Sequence, residues 1–152
     1  MTFVTRRYRF SASHRLHVSS LGAEENARLY GKCNNPYGHG HDYVLEVTCA
    51  GDVDGKTGLI VPAAQLDALV QQVVLSLLAS KNINVDVPQF ANRVPTTENL
   101  TTVIAELLKQ NWNSFVRTEA RLTRVHVQET DRNGFEVPIP AGAANEKVTA
   151  DA

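Results

Sequence analysis

The sequence predicts an α+β fold, with two helices covering one face of a four-stranded antiparallel sheet. Three observations predict it. Apolar and polar residues alternate toward both ends of the chain, apolar residues recur at helical spacing in the middle, and turn-forming residues separate these segments. The chain has 152 residues and is 43% hydrophobic, which suits a single domain with one core.

From Phe3 to Phe10, Tyr8 and Phe10 fall on one face and Arg7 and Arg9 on the other, which is strand-like. Tyr43 to Cys49 alternates more clearly, with Tyr43, Leu45, Val47 and Cys49 opposed to Val44, Glu46 and Thr48. This second strand is entered through the glycine-rich "YGHGH", and Asp54-Gly55 and Gly58 mark turns after it. A first helix starts near Pro62, with Leu66, Leu69, Val70, Val73, Val74 and Leu77 as its stripe. A second starts in "PTTEN", where Thr96 or Thr97 can cap it and Glu98 suits the positive end of the helix dipole. Its stripe is Leu100, Val103, Ile104, Leu107 and Leu108. Two further strands, about Leu122 to Gln128 and Phe135 to Ile139, flank the hairpin signal "DRNG". Residues 1–140 form the expected domain, and 141–152 a small, polar C-terminal tail. A sheet of four strands leaves edges that oligomerisation would protect.

The net charge of −1 gives no sign of a nucleic-acid binder or of a surface drawn to membranes. No apolar run approaches the roughly 20 residues that span a bilayer. The start, "MTFVTRRYRF", lacks the apolar block of a signal peptide. The expectation is a soluble, cytoplasmic protein. Cys33 and Cys49 could pair, although a reducing compartment favours free thiols.

The stretch "GKCNNPYGHGHDY" concentrates one of two cysteines and two of five histidines. His39 and His41 are spaced i, i+2, so in extended backbone they point to one side. His14 ends the first strand and can supply a third imidazole. Three imidazoles with one open position describe a catalytic zinc site; surface loop histidines are the ordinary alternative. His17 and His126 read as structural or surface residues. Cys33 lies in the same loop, where a nearby cation would favour its thiolate, whereas Cys49 shares a face with Val47 and reads as a buried, inert thiol. Glu129 ends the third strand, and Glu98 by itself reads as a helix-dipole residue.

Together "FSASHRL", "EEN", "YGKCNNPYGHGHDY", "KN" with "DVPQFA", "TTEN" and "ETD" strongly resemble the 6-pyruvoyl-tetrahydropterin synthase family, up to about residue 139. The related 6-carboxy-tetrahydropterin synthases typically have a shorter cysteine-to-histidine gap. The resemblance implies the tunnelling fold, in which sheets of several subunits close into a barrel, trimers pair into homohexamers and active sites form between subunits. It implies zinc on His14, His39 and His41, Cys33 as catalytic base, Glu129 as anchor of the pterin ring, and Thr96, Thr97 and Glu98 lining that pocket. The implied reaction is a lyase step on 7,8-dihydroneopterin triphosphate with loss of triphosphate. Lys32, Arg7 and Arg9 could hold the triphosphate or be solvated surface charges.

One departure stands out. Where the family places an Asp-His pair just before "KN", this chain has Ala79 and Ser80. Neither does general acid/base work near neutral pH. The implied alternatives are a 6-carboxy-tetrahydropterin synthase-like or side-chain-cleaving enzyme, or a non-catalytic pterin- and zinc-binding homologue.

Overall fold

A computed structural model describes residues 1–142. Strands β1 (Thr2–His14), β2 (His39–Gly51), β3 (Arg121–Thr130) and β4 (Asn133–Pro138) form one sheet in that order. Every neighbouring pair is antiparallel. Helix α1 spans Ala23–Tyr30, α2 spans Ala63–Val70 and α3 spans Thr97–Phe115. The four-stranded antiparallel sheet backed by helices agrees with the sequence expectation. Residues 143–152, most of the anticipated tail, lie outside the described residues.

The two-residue period divides the sheet into two faces. Tyr43, Leu45, Val47 and Cys49 of β2 and Val125 and Val127 of β3 are buried. They share one core with Leu66, Leu69 and Val70 of α2 and Leu100, Ile104, Leu108 and Trp112 of α3. Trp112 buries its ring and donates its indole N–H to the Ala120 carbonyl at 2.9 Å, so no polar atom is stranded. On the other face Arg7 pairs with Glu46 at 3.2 Å, and Glu46 also faces Arg124 and His126.

Both leading strands are longer than alternation alone suggests. Residues 11–14 pair with 39–42, because glycine 40 joins the ladder opposite Ser13 without disturbing it. Pro62 precedes α2 as its N-cap rather than lying within it, and a π turn over Gln71–Leu75 carries the helix on to Leu78. Thr96, not Thr97, caps α3, its Oγ1 accepting from the Asn99 N–H at 3.2 Å. Helix α1 has no apolar stripe by which a sequence could reveal it. Its one buried residue is Asn26, whose side chain accepts from the Val18 N–H and donates to the Val18 carbonyl.

The segment after α2 runs along the free edge of β1. The Ser80 N–H donates to the Ser11 carbonyl at 2.6 Å, and the Ser13 N–H to the Lys81 carbonyl at 2.9 Å. Ser80 turns the chain with φ of 60°, the left-handed region that costs a non-glycine residue about 1 kcal/mol or more. No helix among the described residues is long and apolar enough to cross a membrane.

Candidate metal centre

At one end of the sheet, the core face changes from apolar to polar. His14 follows Phe10 and Ala12 on the buried face of β1. His39 and His41 precede Tyr43 and Leu45 on the same face of β2, and the ladder sets His14 directly opposite His39. On β3, Glu129 follows Val125 and Val127. It stays on their face by the two-residue alternation, at a point where the β3–β4 register shifts between Gln128 and Thr130.

These four side chains converge. His14 Nε2 lies 3.2 Å from His39 Nε2, which lies 2.8 Å from His41 Nε2. Glu129 Oε1 is 3.0 Å from His41 Nε2 and 3.4 Å from His14 Nε2. All four ligand atoms fall within 4.8 Å of one another. Donors about 2.0–2.1 Å from a tetrahedral zinc stand about 3.3 Å apart; the donor set and the four spacings of 2.8–3.4 Å match that ion, and the widest pair, within 4.8 Å, would draw in on binding.

The protonation pattern supports the same fit. His14 Nδ1 lies 2.8 Å from the Pro95 carbonyl, which can only accept, so Nδ1 carries the proton and Nε2 turns its lone pair into the cluster. Burial, set against the Pro95 contact and Glu129, holds the His14 pKa below the usual imidazole value. Burial and His41 lower that of His39. Neutral imidazoles are the form that binds metal. Burial opposes ionisation of Glu129, but hydrogen bonds from Thr97 and Asn133, with His41 and His14 close by, outweigh it and hold the carboxyl below its ordinary range. Thr97 Oγ1 and Asn133 Nδ2 each donate to Glu129 Oε2 at 2.7 Å.

The other residues singled out in the sequence are placed less uniformly. Cys33 sits half-exposed in a 3₁₀ turn, Gly31–Asn34, and its carbonyl accepts from the Leu16 N–H at 2.8 Å. Burial, then the Glu129 carboxylate, pushes its thiol up rather than down. Cys49 is buried and free, with its thiol pushed up by burial to about 11. Thr97 belongs to the cluster through Glu129, whereas the Thr96 side chain is engaged as a cap. Glu98 and Lys32 are exposed. Arg7 and Arg9 line a cleft of about 390 Å³ with Asp42, Gln128 and Glu129. A second cleft, about 370 Å³, joins His41 and Asp42 to Ser80 and Lys81. A larger cavity, about 790 Å³, lies at the opposite end of the sheet around Gly51 and Arg121, too far away to serve the histidines. Sequence reasoning missed Asn133 and the Pro95 carbonyl. The only signal for Asn133 was its place at the end of the hairpin turn.

A helix-backed antiparallel sheet whose buried face ends in three imidazoles and a carboxylate defines an α+β protein with the geometry of a metal centre. The 6-pyruvoyl tetrahydropterin synthase family model matches residues 3–139. A 6-pyruvoyl tetrahydrobiopterin synthase from Homo sapiens is 44% identical over 130 residues, 86% of each chain, and one from Poecilia reticulata is 43% identical over 131 residues, again 86% of each. The solved structure of Caenorhabditis elegans 6-pyruvoyl tetrahydropterin synthase superposes with a TM-score of 0.81 at 35% identity, covering 91% of this chain and 96% of that one. The chain belongs to the 6-pyruvoyl tetrahydropterin synthase family and has the subunit fold of its members.

Proposed function

We propose that this chain is a zinc-dependent lyase of the 6-pyruvoyl-tetrahydropterin synthase type, acting on 7,8-dihydroneopterin triphosphate with loss of triphosphate. The observation that carries this reading is the cage of His14, His39, His41 and Glu129, whose spacing fits zinc. Bound zinc would supply a Lewis acid that makes a C–H beside the substrate's side-chain oxygens more acidic. The three imidazoles would hold the ion, His14 in the tautomer that Pro95 imposes. Cys33 is the catalytic base that takes the proton. Glu129 anchors the pterin by accepting from its ring NH and amino group, and Thr97 orients that carboxylate. Thr96 and Glu98 line that pocket with Thr97, and Lys32 contacts the substrate. Arg7 and Arg9, beside Glu129 in the outer cleft, provide cationic contacts for the triphosphate.

Residues 1–140 act in this reading as one domain. The outer strands β1, covered among the described residues by its own chain only near residues 11–13, and β4 favour closure into a barrel with other copies, as a homohexamer built from two trimers. Light scattering should give a mass well above the 16.7 kDa of one chain; a monomer at micromolar concentration overturns the assembly.

A second reading is favoured by Ala79 and Ser80, which offer no acid/base group where the family places Asp-His. The product would then be a 6-carboxy-tetrahydropterin or a side-chain-cleaved pterin, or the chain would bind pterin and zinc without turnover. Product analysis after incubation with 7,8-dihydroneopterin triphosphate separates these. A pyruvoyl product supports the first reading, another pterin replaces it, and unchanged substrate with retained binding makes the chain a binding protein.

A further inference from the structure

Three imidazoles by themselves leave a metal's fourth position open, and a pterin anchor is one task for Glu129. The geometry points to a second task. We propose that in the substrate-free protein Glu129 is itself the fourth metal ligand, that Asn133 and Thr97 are the positioning residues that hold it there, and that an arriving pterin draws it off.

Three observations carry this. Glu129 Oε1 stands 3.0 and 3.4 Å from two imidazole nitrogens, the same range as the 2.8 and 3.2 Å between the imidazoles. It therefore lies against two of the imidazoles and within the 4.8 Å that encloses all four ligand atoms, close enough to become a vertex of the coordination figure. The two carboxylate oxygens have divided roles. Oε1 faces the imidazoles, while Oε2 accepts from Thr97 and Asn133 at 2.7 Å each. Two donors on the distal oxygen fix the carboxylate plane and leave Oε1 free to ligate. The third observation is the support beneath it. Thr97 opens α3 just after Pro95, whose carbonyl orients His14, and Asn133 opens β4 across the two-residue turn that follows the Glu129 bulge. One helix start and one hairpin thus set both the imidazole and the carboxylate. The carboxylate can leave because it sits in an irregular part of the ladder, whereas His14, His39 and His41 are fixed in regular β pairing.

The exchange step rests on the pterin reading above; the resting ligation does not. In resting protein, Glu129 coordination closes the site, and a substrate offering two N–H donors to the same carboxylate opens it. Ligand binding and opening of the metal are then one event.

The test uses metal-free protein reloaded with zinc or cobalt(II). Competition with a chromogenic chelator measures zinc affinity, and the visible spectrum of the cobalt form reports its coordination. Glu129→Gln should weaken zinc by about 10–100-fold and change the cobalt bands. Asn133→Ala and Thr97→Val should each weaken zinc about tenfold, and Thr97→Ser should restore it. Biopterin added to the cobalt form should shift the parent spectrum and leave that of Glu129→Gln unchanged. Asn133 is exposed, so its variant folds even where Glu129→Gln does not. Parent-like zinc affinity and cobalt spectra in Glu129→Gln, or in Asn133→Ala if only that variant folds, overturn the resting ligation. An unshifted spectrum at saturating bound biopterin overturns the exchange. None of these readouts involves turnover, so failure of the lyase reading would show separately as absence of pyruvoyl product.

Discussion

The buried face of the sheet has two ends, made by the same strands under the same alternation. Around Leu45, Val47, Cys49, Val125 and Val127 it meets α2 and α3 and is wholly apolar. A few residues further along, the same positions are His14, His39, His41 and Glu129. His14 is as buried as the core at 1% exposure, while His39, His41 and Glu129 are half-buried. The difference teaches that strand periodicity decides which side chains are gathered, and side-chain chemistry decides whether the gathering is packing or a site. At the apolar end proximity is favourable by itself. At the polar end it brings lone pairs and a carboxylate together, an arrangement that calls for a cation or proton to offset it.

Four experiments break or sharpen that contrast. The largest effect is expected from His41→Ala, which removes one vertex of the polar end. If structural zinc contributes about 10–16 kcal/mol over four ligands, losing one weakens zinc by at least about a hundredfold. Elemental analysis after dialysis checks it, and full metal content would remove His41 from the centre. At the other end Leu45→Ala, on the same face of the same strand, should cost about 2–5 kcal/mol of stability through its cavity. Thermal unfolding reports the loss, while zinc affinity of the folded protein stays at the parent value. A shared loss of both properties would mean that the two ends are one cooperative unit.

The third experiment concerns Ala79 and Ser80. The pair Ala79→Asp with Ser80→His should raise the rate of pyruvoyl formation by about one to three orders of magnitude, measured as steady-state turnover beside a Cys33→Ala control. Histidine tolerates the left-handed φ of 60° at position 80 better than most side chains. A double variant no faster than its parent would show that another group already moves the proton or that the pocket serves different chemistry. The smallest effect is a difference in labelling between the two thiols. Cys33 is half-exposed and should be alkylated in the native protein, whereas Cys49, buried and raised to about 11, should stay protected until unfolding. Zinc loading should speed reaction at Cys33 at constant pH, because a cation offsets the burial and the Glu129 charge that push its thiol up. Peptide mass spectrometry at timed quenching reads both sites.

Much of this contrast is legible in the sequence. Tyr43 through Cys49 shows its buried face by alternation alone, and each apolar member is fully buried. His39 and His41 share that face by the same i, i+2 rule, so their common direction follows from spacing in extended backbone. The start of α3 at the threonines follows from capping chemistry. These features depend on residues within one or two turns or strand repeats of one another, and local backbone geometry determines them.

What the tertiary structure decided depends on register. That His14 stands opposite His39 requires β1 to pair over all thirteen of its residues. That Glu129 comes within about 3 Å of the imidazoles requires β3 to pair with β2 in one register, with Val44 opposite Gln128; a one-residue slip would have turned it to the opposite face. Asn133 and the Pro95 carbonyl carry no motif and matter only because the hairpin and the helix start bring them to Glu129 and His14. Composition and spacing could name the ligands of a metal centre. Interatomic distances of about 3 Å arise only when separate strands are locked side by side, and that is set by the packing of the whole core.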